Sequence, residues 1–146
     1  MLTLERPSVL QLDDRDVHAM LARNITGRIA FVKDGEIEIR PVTYVYSGDS
    51  IYLRSAGSGA LAAIDPEGAV VGFEVDEIHT TRRWRSVVVR GTLFRVSRDR
   101  QHEQWMRALW ALRRLSPDVL RQDDPAAHRD EIFRILIREA TGRAMI

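Results

Sequence analysis

Three features of the sequence predict a mainly β chain with flanking helices, an α+β class built on antiparallel strands. Hydrophobic spacing is near four in two stretches and near two between them. Asp34-Gly35 separates two of the alternating runs, and that dipeptide is the strongest short signal for a hairpin. Clusters such as Ser47-Gly48-Asp49-Ser50 and Asp65-Pro66-Glu67-Gly68 then cut the middle of the chain into short segments. Five strands on short turns, with a sixth near the end, favour a small closed or split barrel. The 146 residues, 45% of them apolar, are enough for one core and a single domain over 1–146.

The elements follow in order. Asp13 and Asp14 can cap a helix over 13–25 in which Val17, Met20, Leu21 and Ile25 share a face, and Gly27 ends the run. Strands occupy 28–97. Arg28 to Lys33 returns through Asp34-Gly35 as Glu36 to Tyr46, with Ile37, Ile39, Thr43 and Val45 on one side and Glu36, Glu38, Arg40, Val42, Tyr44 and Tyr46 on the other. Pro41 lacks one ladder N–H and so marks an edge or a bulge. Ile51 to Ser55 is a third strand, followed by Ala56-Gly57-Ser58-Gly59 and a short helical patch, Ala60 to Ile64. Ala69 to Asp76 carries Val71, Phe73 and Val75 on one side, and Trp84 to Ser97 is a long strand in which Gly91 permits a bulge. A helix over 99–115 sets Trp105, Leu109 and Leu112 in a stripe with Met106 and Trp110 beside it, and Ser116-Pro117 stops it. Gln122 to Asp130 reads as a loop, and 131–139 as a last strand alternating Phe133, Ile135 and Ile137 with Arg134 and Arg138.

Composition narrows the function. Lys plus Arg number 22 against 21 acids, a net charge of +1, so there is no electrostatic case for nucleic acid as the partner. Without cysteine there is no disulfide, thiolate nucleophile or iron-sulfur cluster, and redox chemistry needs an organic cofactor. His18, His79, His102 and His128 lack the spacing of a helical metal site, and no Gly-x-Ser-x-Gly elbow is present. The first residues carry acids and no apolar run, and no segment approaches the roughly 20 apolar residues of a membrane helix. The expectation is a cytoplasmic protein without a membrane partner. Of the basic residues only Lys33 is a lysine, so other cationic contacts are planar guanidiniums that fork onto carboxylate or phosphate.

The stretch Arg54-Ser55-Ala56-Gly57-Ser58-Gly59-Ala60-Leu61 says most about chemistry. A guanidinium and a hydroxyl close a strand, glycines let the backbone approach a ligand, and a helix start offers free N–H groups, which together make an anion cradle. The same residues allow a plainer reading, in which Ser58 caps the short helix and Arg54 pairs with a surface carboxylate. Seven arginines between Arg82 and Arg100 are either a polyanion patch or an ion-pair surface beside the acid-rich 65–77 segment. Trp84, Trp105 and Trp110 read first as packing residues, although Trp84, where a loop feeds the longest strand, could border a planar ligand.

Taken together, Ile25-Thr26-Gly27-Arg28-Ile29-Ala30, Arg40-Pro41-Val42-Thr43-Tyr44, Ile51-Tyr52-Leu53-Arg54-Ser55, Val71 to Ile78 and Trp84 to Gly91 resemble the pyridoxamine 5'-phosphate oxidase-like flavoproteins. The resemblance runs over roughly residues 10 to 98, and Ala140-Thr141-Gly142-Arg143 is similar to that family's usual Gly-Arg ending. It implies a six-stranded antiparallel split barrel of the FMN-binding type, a homodimer with the flavin in a groove between subunits, and an oxidoreductase moving hydride or electrons to or from a small organic substrate. It implies further that Pro41, Val42, Thr43 and Tyr44 run along the isoalloxazine, and that Leu53, Arg54, Ser55, Ser58 and Ala60 belong to the cofactor site, with Arg54 and Ser55 reaching the phosphate. Trp84, Arg85, Ser86 and Val87 would close the ring pocket. Two positions depart from the family, Ala60 where members commonly carry Lys and Thr43 where they commonly carry Asn. A lost charged hydrogen bond of about 1.5–3 kcal/mol weakens binding roughly 10- to 150-fold, which leaves weak flavin binding unless another arginine, Arg85 or one from a partner subunit, replaces the Lys. The same fold implies two alternatives: the deazaflavin F420, its acidic tail over the arginine-rich surface, or a non-enzymatic flavin- or ligand-binding protein.

Overall fold

The computed structural model describes residues 8–65 and 67–146. Residues 1–7, read above as no secretory leader, and Pro66, read as part of a turn, lie outside the described residues.

After β1 (Val9–Gln11), the Asp13 carboxylate accepts the Asp16 N–H at 2.8 Å and caps α1 (Asp14–Arg23). Val17, Met20 and Leu21 are buried as expected, but the helix ends before Ile25, which is left 54% exposed. The cause is Asn24, whose side-chain amide donates to Met20 O and to Glu77, turning the chain into β2 (Thr26–Lys33). β3 (Glu36–Thr43) returns across a two-residue turn with φ of 53° at Asp34 and 79° at Gly35, the positive pair that a type I′ hairpin demands. β4 (Val45–Ser47), β5 (Ser50–Ser55), β6 (Ala69–Thr80), β7 (Arg83–Arg95), α2 (His102–Leu115) and β8 (Glu131–Met145) complete the chain. The antiparallel sheet has the order β3-β2-β6-β7-β8-β5-β4, with β1 also paired to β8.

Among the described residues eight strands stand where six were expected. The Glu36 to Tyr46 run divides because Tyr44 is drawn wholly inside, its hydroxyl donating to Leu21 O at 2.7 Å and its ring meeting Phe73 edge-on at 5.0 Å. β1 is the second addition, and its partner is an extension of β8 that alternation did not predict. Past Glu139 that strand continues to Met145 because β7 pairs with it as far as Trp84↔Met145. The bulge expected at Gly91 lies there: Arg90 pairs with Glu139 but Gly91 with Ile137, so the extra residue is Arg138 of β8. The patch after Ser55 is a 3-10 turn, Ala60–Ala63, shorter than expected, and α2 begins at His102 rather than 99.

Ile29, Phe31, Val71, Phe73, Val75, Val87, Val89 and Phe133 fill the barrel beneath α1. A separate cluster of Trp105, Leu109 and Leu112 with Tyr52, Val119 and Ile132 seats α2, while Trp110 is 67% exposed and packs on nothing in the core. β3 is inverted relative to this plan. Its Glu38, Arg40 and Val42 pair with the inward residues Phe31, Ile29 and Gly27, whereas Ile37 and Ile39 lie with Val32 and Ala30 on the outer face. Ile37 is 77% exposed, and Val70 of β6 adds to the same uncovered apolar surface. Among the described residues no helix is long and apolar enough to cross a membrane.

Candidate functional site

β3 is one end of the sheet and β5 lies beside the other. The chain passes from edge to edge at buried Tyr44, whose N–H donates to Ile25 O, and the barrel is left split between the two strands. Into that split open Thr26, Arg40, Pro41, Val42 and Thr43 from one side and Arg54, Ser55, Ala60, Leu61 and Arg129 from the other, around a cleft of about 290 Å³. Pro41 on an end strand is where a residue without an N–H does least harm.

Arg54 is held in place by a buried carboxylate. Its Nη1 and Nη2 donate to the two oxygens of Asp124 at 2.5 and 3.0 Å, and Asp124 also accepts the N–H groups of Leu120 and Ala126. Hydrogen bonding from the Arg54 guanidinium holds the Asp124 carboxyl well below the usual carboxylate range. The plainer reading of Arg54 is thus met in part, with a carboxylate that is 1% exposed rather than a surface one. A guanidinium has five N–H groups, so this fork does not use up the donors that Arg54 brings to the cleft.

The cradle differs from expectation in its helical part. Gly59, not Ser58, is the N-cap of the 3-10 turn, no side chain caps it, and exposed Ser58 is outside the cleft lining. A Cβ at Gly59 would sit 2.9 Å from Ser55 Oγ and 3.1 Å from Ala56 O, so packing of the turn itself demands this glycine. Tyr44, Leu53 and Val87 are 0% exposed and turn their side chains into the core, which leaves only their backbone to a ligand. Trp84 and Arg85 line a different groove, with Glu77, His79, Arg83, Met145 and Ile146. Ser86 sits between Asp76 and Arg143 in the sheet. The single chain therefore gathers Pro41, Val42, Thr43, Arg54, Ser55 and Ala60, and keeps Ser58 and the Trp84–Val87 segment apart from them.

At the Trp84 groove, Glu77 accepts Arg23 Nε and Nη2 at 2.8 and 2.6 Å and Asn24 Nδ2 at 2.7 Å. Arg23 is the main cause of its carboxyl being pulled down to about 2. The arginine run does not form one patch. Arg95 lies over Phe133 and donates to Ala62 O, Arg98 stacks on Trp105 at 4.8 Å, and Arg85 pairs with Glu77 across the ladder.

Thr26, Arg40, Leu61 and Arg129 are cleft residues that the sequence reading did not single out. Thr26 had a signal, because the Asp34-Gly35 turn pairs Lys33 with Glu36 and, counting outward, Thr26 with Thr43. Arg129 had none, since it arrives on a loop folded around Asp124.

Comparison with known proteins agrees with this architecture. The family model described as pyridoxamine 5'-phosphate oxidase matches residues 13–144. No protein of curated function matches the chain. A FAD-binding protein from Mesorhizobium loti is similar at 29% identity and TM-score 0.70, covering 93% of this chain and 97% of that one. A conserved protein of unknown function from Corynebacterium diphtheriae is similar at 26% identity and TM-score 0.70, over 94% of this chain and 98% of its own. The FAD-binding protein from Mycobacterium smegmatis, at 23% identity, shares the fold with TM-score 0.70 over 94% of this chain and 100% of that chain. On the family match, which spans nearly the whole sequence, the chain belongs to the pyridoxamine 5'-phosphate oxidase family.

Proposed function

We propose that this protein binds a flavin nucleotide in the cleft between β3 and β5 and works in the cytoplasm as a homodimeric oxidoreductase, moving hydride or electrons between a reduced donor and a small organic acceptor. The observation that carries the reading is the meeting of an open strand edge with a guanidinium cluster. β3 ends the sheet, so among the described residues the backbone groups along Pro41–Thr43 have no strand partner on that side. A planar ring with amide-like edges can pair with them much as a strand would. Arg54, Arg129 and Ser55 at the other wall offer the forked donors and the hydroxyl that suit phosphate. These residues fit the group. The isoalloxazine supplies the two-electron chemistry when bound. Among the described residues the cleft walls hold no carboxylate or histidine, and their side chains bind and orient rather than move protons.

A second copy is supported by two observations. The cleft of about 290 Å³ is at the small end of the roughly 300–1,000 Å³ usual for ligand sites, which fits a site completed from outside. The outer face presents Val32, Ile37, Ile39 and Val70 to solvent, an apolar surface of the kind that a partner covers. Packed there, a second copy would bring its Trp84–Val87 segment as the ring wall that the cleft lacks in one protomer. FMN is the smallest cargo that meets both halves of the site, FAD is what the relatives from Mesorhizobium loti and Mycobacterium smegmatis bind, and F420 is the deazaflavin alternative.

The purified protein should be yellow, and the mass of the flavin released on denaturation identifies the cargo. Titration with FMN, FAD, F420 and riboflavin ranks the alternatives, and reduction of the bound flavin by a nicotinamide donor separates an enzyme from a protein that only binds. A colourless protein whose melting temperature no flavin raises overturns the proposal, because a ligand that binds only the folded state must stabilise it.

A further inference from the structure

Resting on that reading, the cleft's charges can be paired off one by one. Among the described residues three guanidiniums line it, those of Arg40, Arg54 and Arg129. Arg54 is forked onto Asp124, and Arg40 Nη2 lies 3.0 Å from Glu38 Oε2. An anion that approaches either one meets a cation whose charge a carboxylate already balances. Arg129 differs: among the described residues its guanidinium enters no ion pair. Of the three, it alone keeps its whole charge for a ligand.

The placement of Arg129 is built by the same carboxylate. Asp124 accepts Leu120 N and Ala126 N at 2.8 and 2.9 Å, which folds the loop between α2 and β8 around it. Arg129 N donates to Ala126 O at 2.9 Å, and Arg129 O lies 3.4 Å from Arg54 Nη1. Asp124 thus neutralises one cleft arginine and, through Ala126 and Arg54, fixes the backbone of another. On the same wall, position 60 offers only a methyl group.

We propose that Arg129 is the cation that recognises the flavin's phosphate in this protein, and that Asp124 is a positioning residue that sets it at the cleft. The cleft then discriminates phosphorylated flavins from riboflavin chiefly through a loop residue rather than through the strand arginine or the turn.

The test uses the full chain with FMN, riboflavin and inorganic pyrophosphate as probes. Arg129→Gln should weaken FMN about 10-fold or more while riboflavin stays within about twofold. Arg129→Lys should recover part of the loss, since the charge remains and the fork does not. Arg121→Gln, which removes one charge from an exposed position of the same loop, should leave FMN within about twofold. Asp124→Asn should shrink the preference for FMN over riboflavin, a ratio that a merely structural role would not move in a sample that remains folded. If the wild type prefers FMN and Arg129→Gln keeps that preference, the assignment is overturned while flavin binding stands. If the wild type binds neither flavin, the flavin reading fails and pyrophosphate decides the cation. A rise in melting temperature that Arg129→Gln abolishes supports it, and no rise or an equal rise in both proteins overturns it.

Discussion

Replacing Glu77 by Gln tests the electrostatic tie between α1 and β6 beside the Trp84 groove. Glu77 receives two N–H groups of Arg23 and one of Asn24, and its carboxyl titrates at about 2 instead of the ordinary 4.5. That difference corresponds to at most about 3 kcal/mol. Arg23 is 44% exposed, so solvent screening reduces the figure to on the order of 1–2 kcal/mol. The folded-state value is depressed, so the contribution is fully present above the unfolded value near 4.5 and is lost as pH falls toward about 2. Urea unfolding of wild type and Glu77→Gln at pH 7 should therefore differ by about 1–2 kcal/mol, with the gap narrowing by pH 3.5. A gap of the same size at both pH values would refute the linkage and leave only a packing effect.

Three further outcomes follow from the geometry. Tyr44→Phe removes the 2.7 Å bond to Leu21 O where the chain crosses between sheet edges, and should cost about 1–2 kcal/mol in urea unfolding with an unchanged m-value; a loss below about 0.5 kcal/mol contradicts the role given to that hydroxyl. Gly91→Ala places a Cβ 2.5 Å from Leu136 O and 2.8 Å from Ile135 Cγ2, so overpacking should cost about 1–3 kcal/mol in the same assay, and a neutral result would mean that the bulge yields freely. Ile39→Glu puts a charge on the 60% exposed outer face, where it should leave the monomer's stability nearly unchanged but weaken dimerisation at least about 10-fold by sedimentation. A variant that stays dimeric at the same concentrations moves the interface elsewhere.

Part of the candidate site was legible before any coordinates. The Asp34-Gly35 turn permits one pairing, and that pairing lays Thr26 beside Thr43 and Arg28 beside Pro41 along the strand edge that opens into the cleft. The β5 ending at Arg54-Ser55 was equally readable, and so was the bulge at Gly91. The inversion of β3 was not. Alternation told which of its residues share a face, but not that Ile37 and Ile39 would be the ones left outside.

What the sequence by itself determined is local: the hairpin, the cap on α1, the stripe of α2, and the guanidinium-hydroxyl pair that closes β5. Turn geometry, capping and hydrophobic period act over a few residues, so each is complete within its own segment. Only the tertiary structure decided that Asp124 would meet Arg54 from 70 positions away, that Arg129 would arrive beside them without an ion pair among the described residues, and that the Trp84 segment would belong to another groove. Those facts depend on how the sheet closes and which edges it leaves open, and closure brings together groups whose separation along the chain carries no periodic signal.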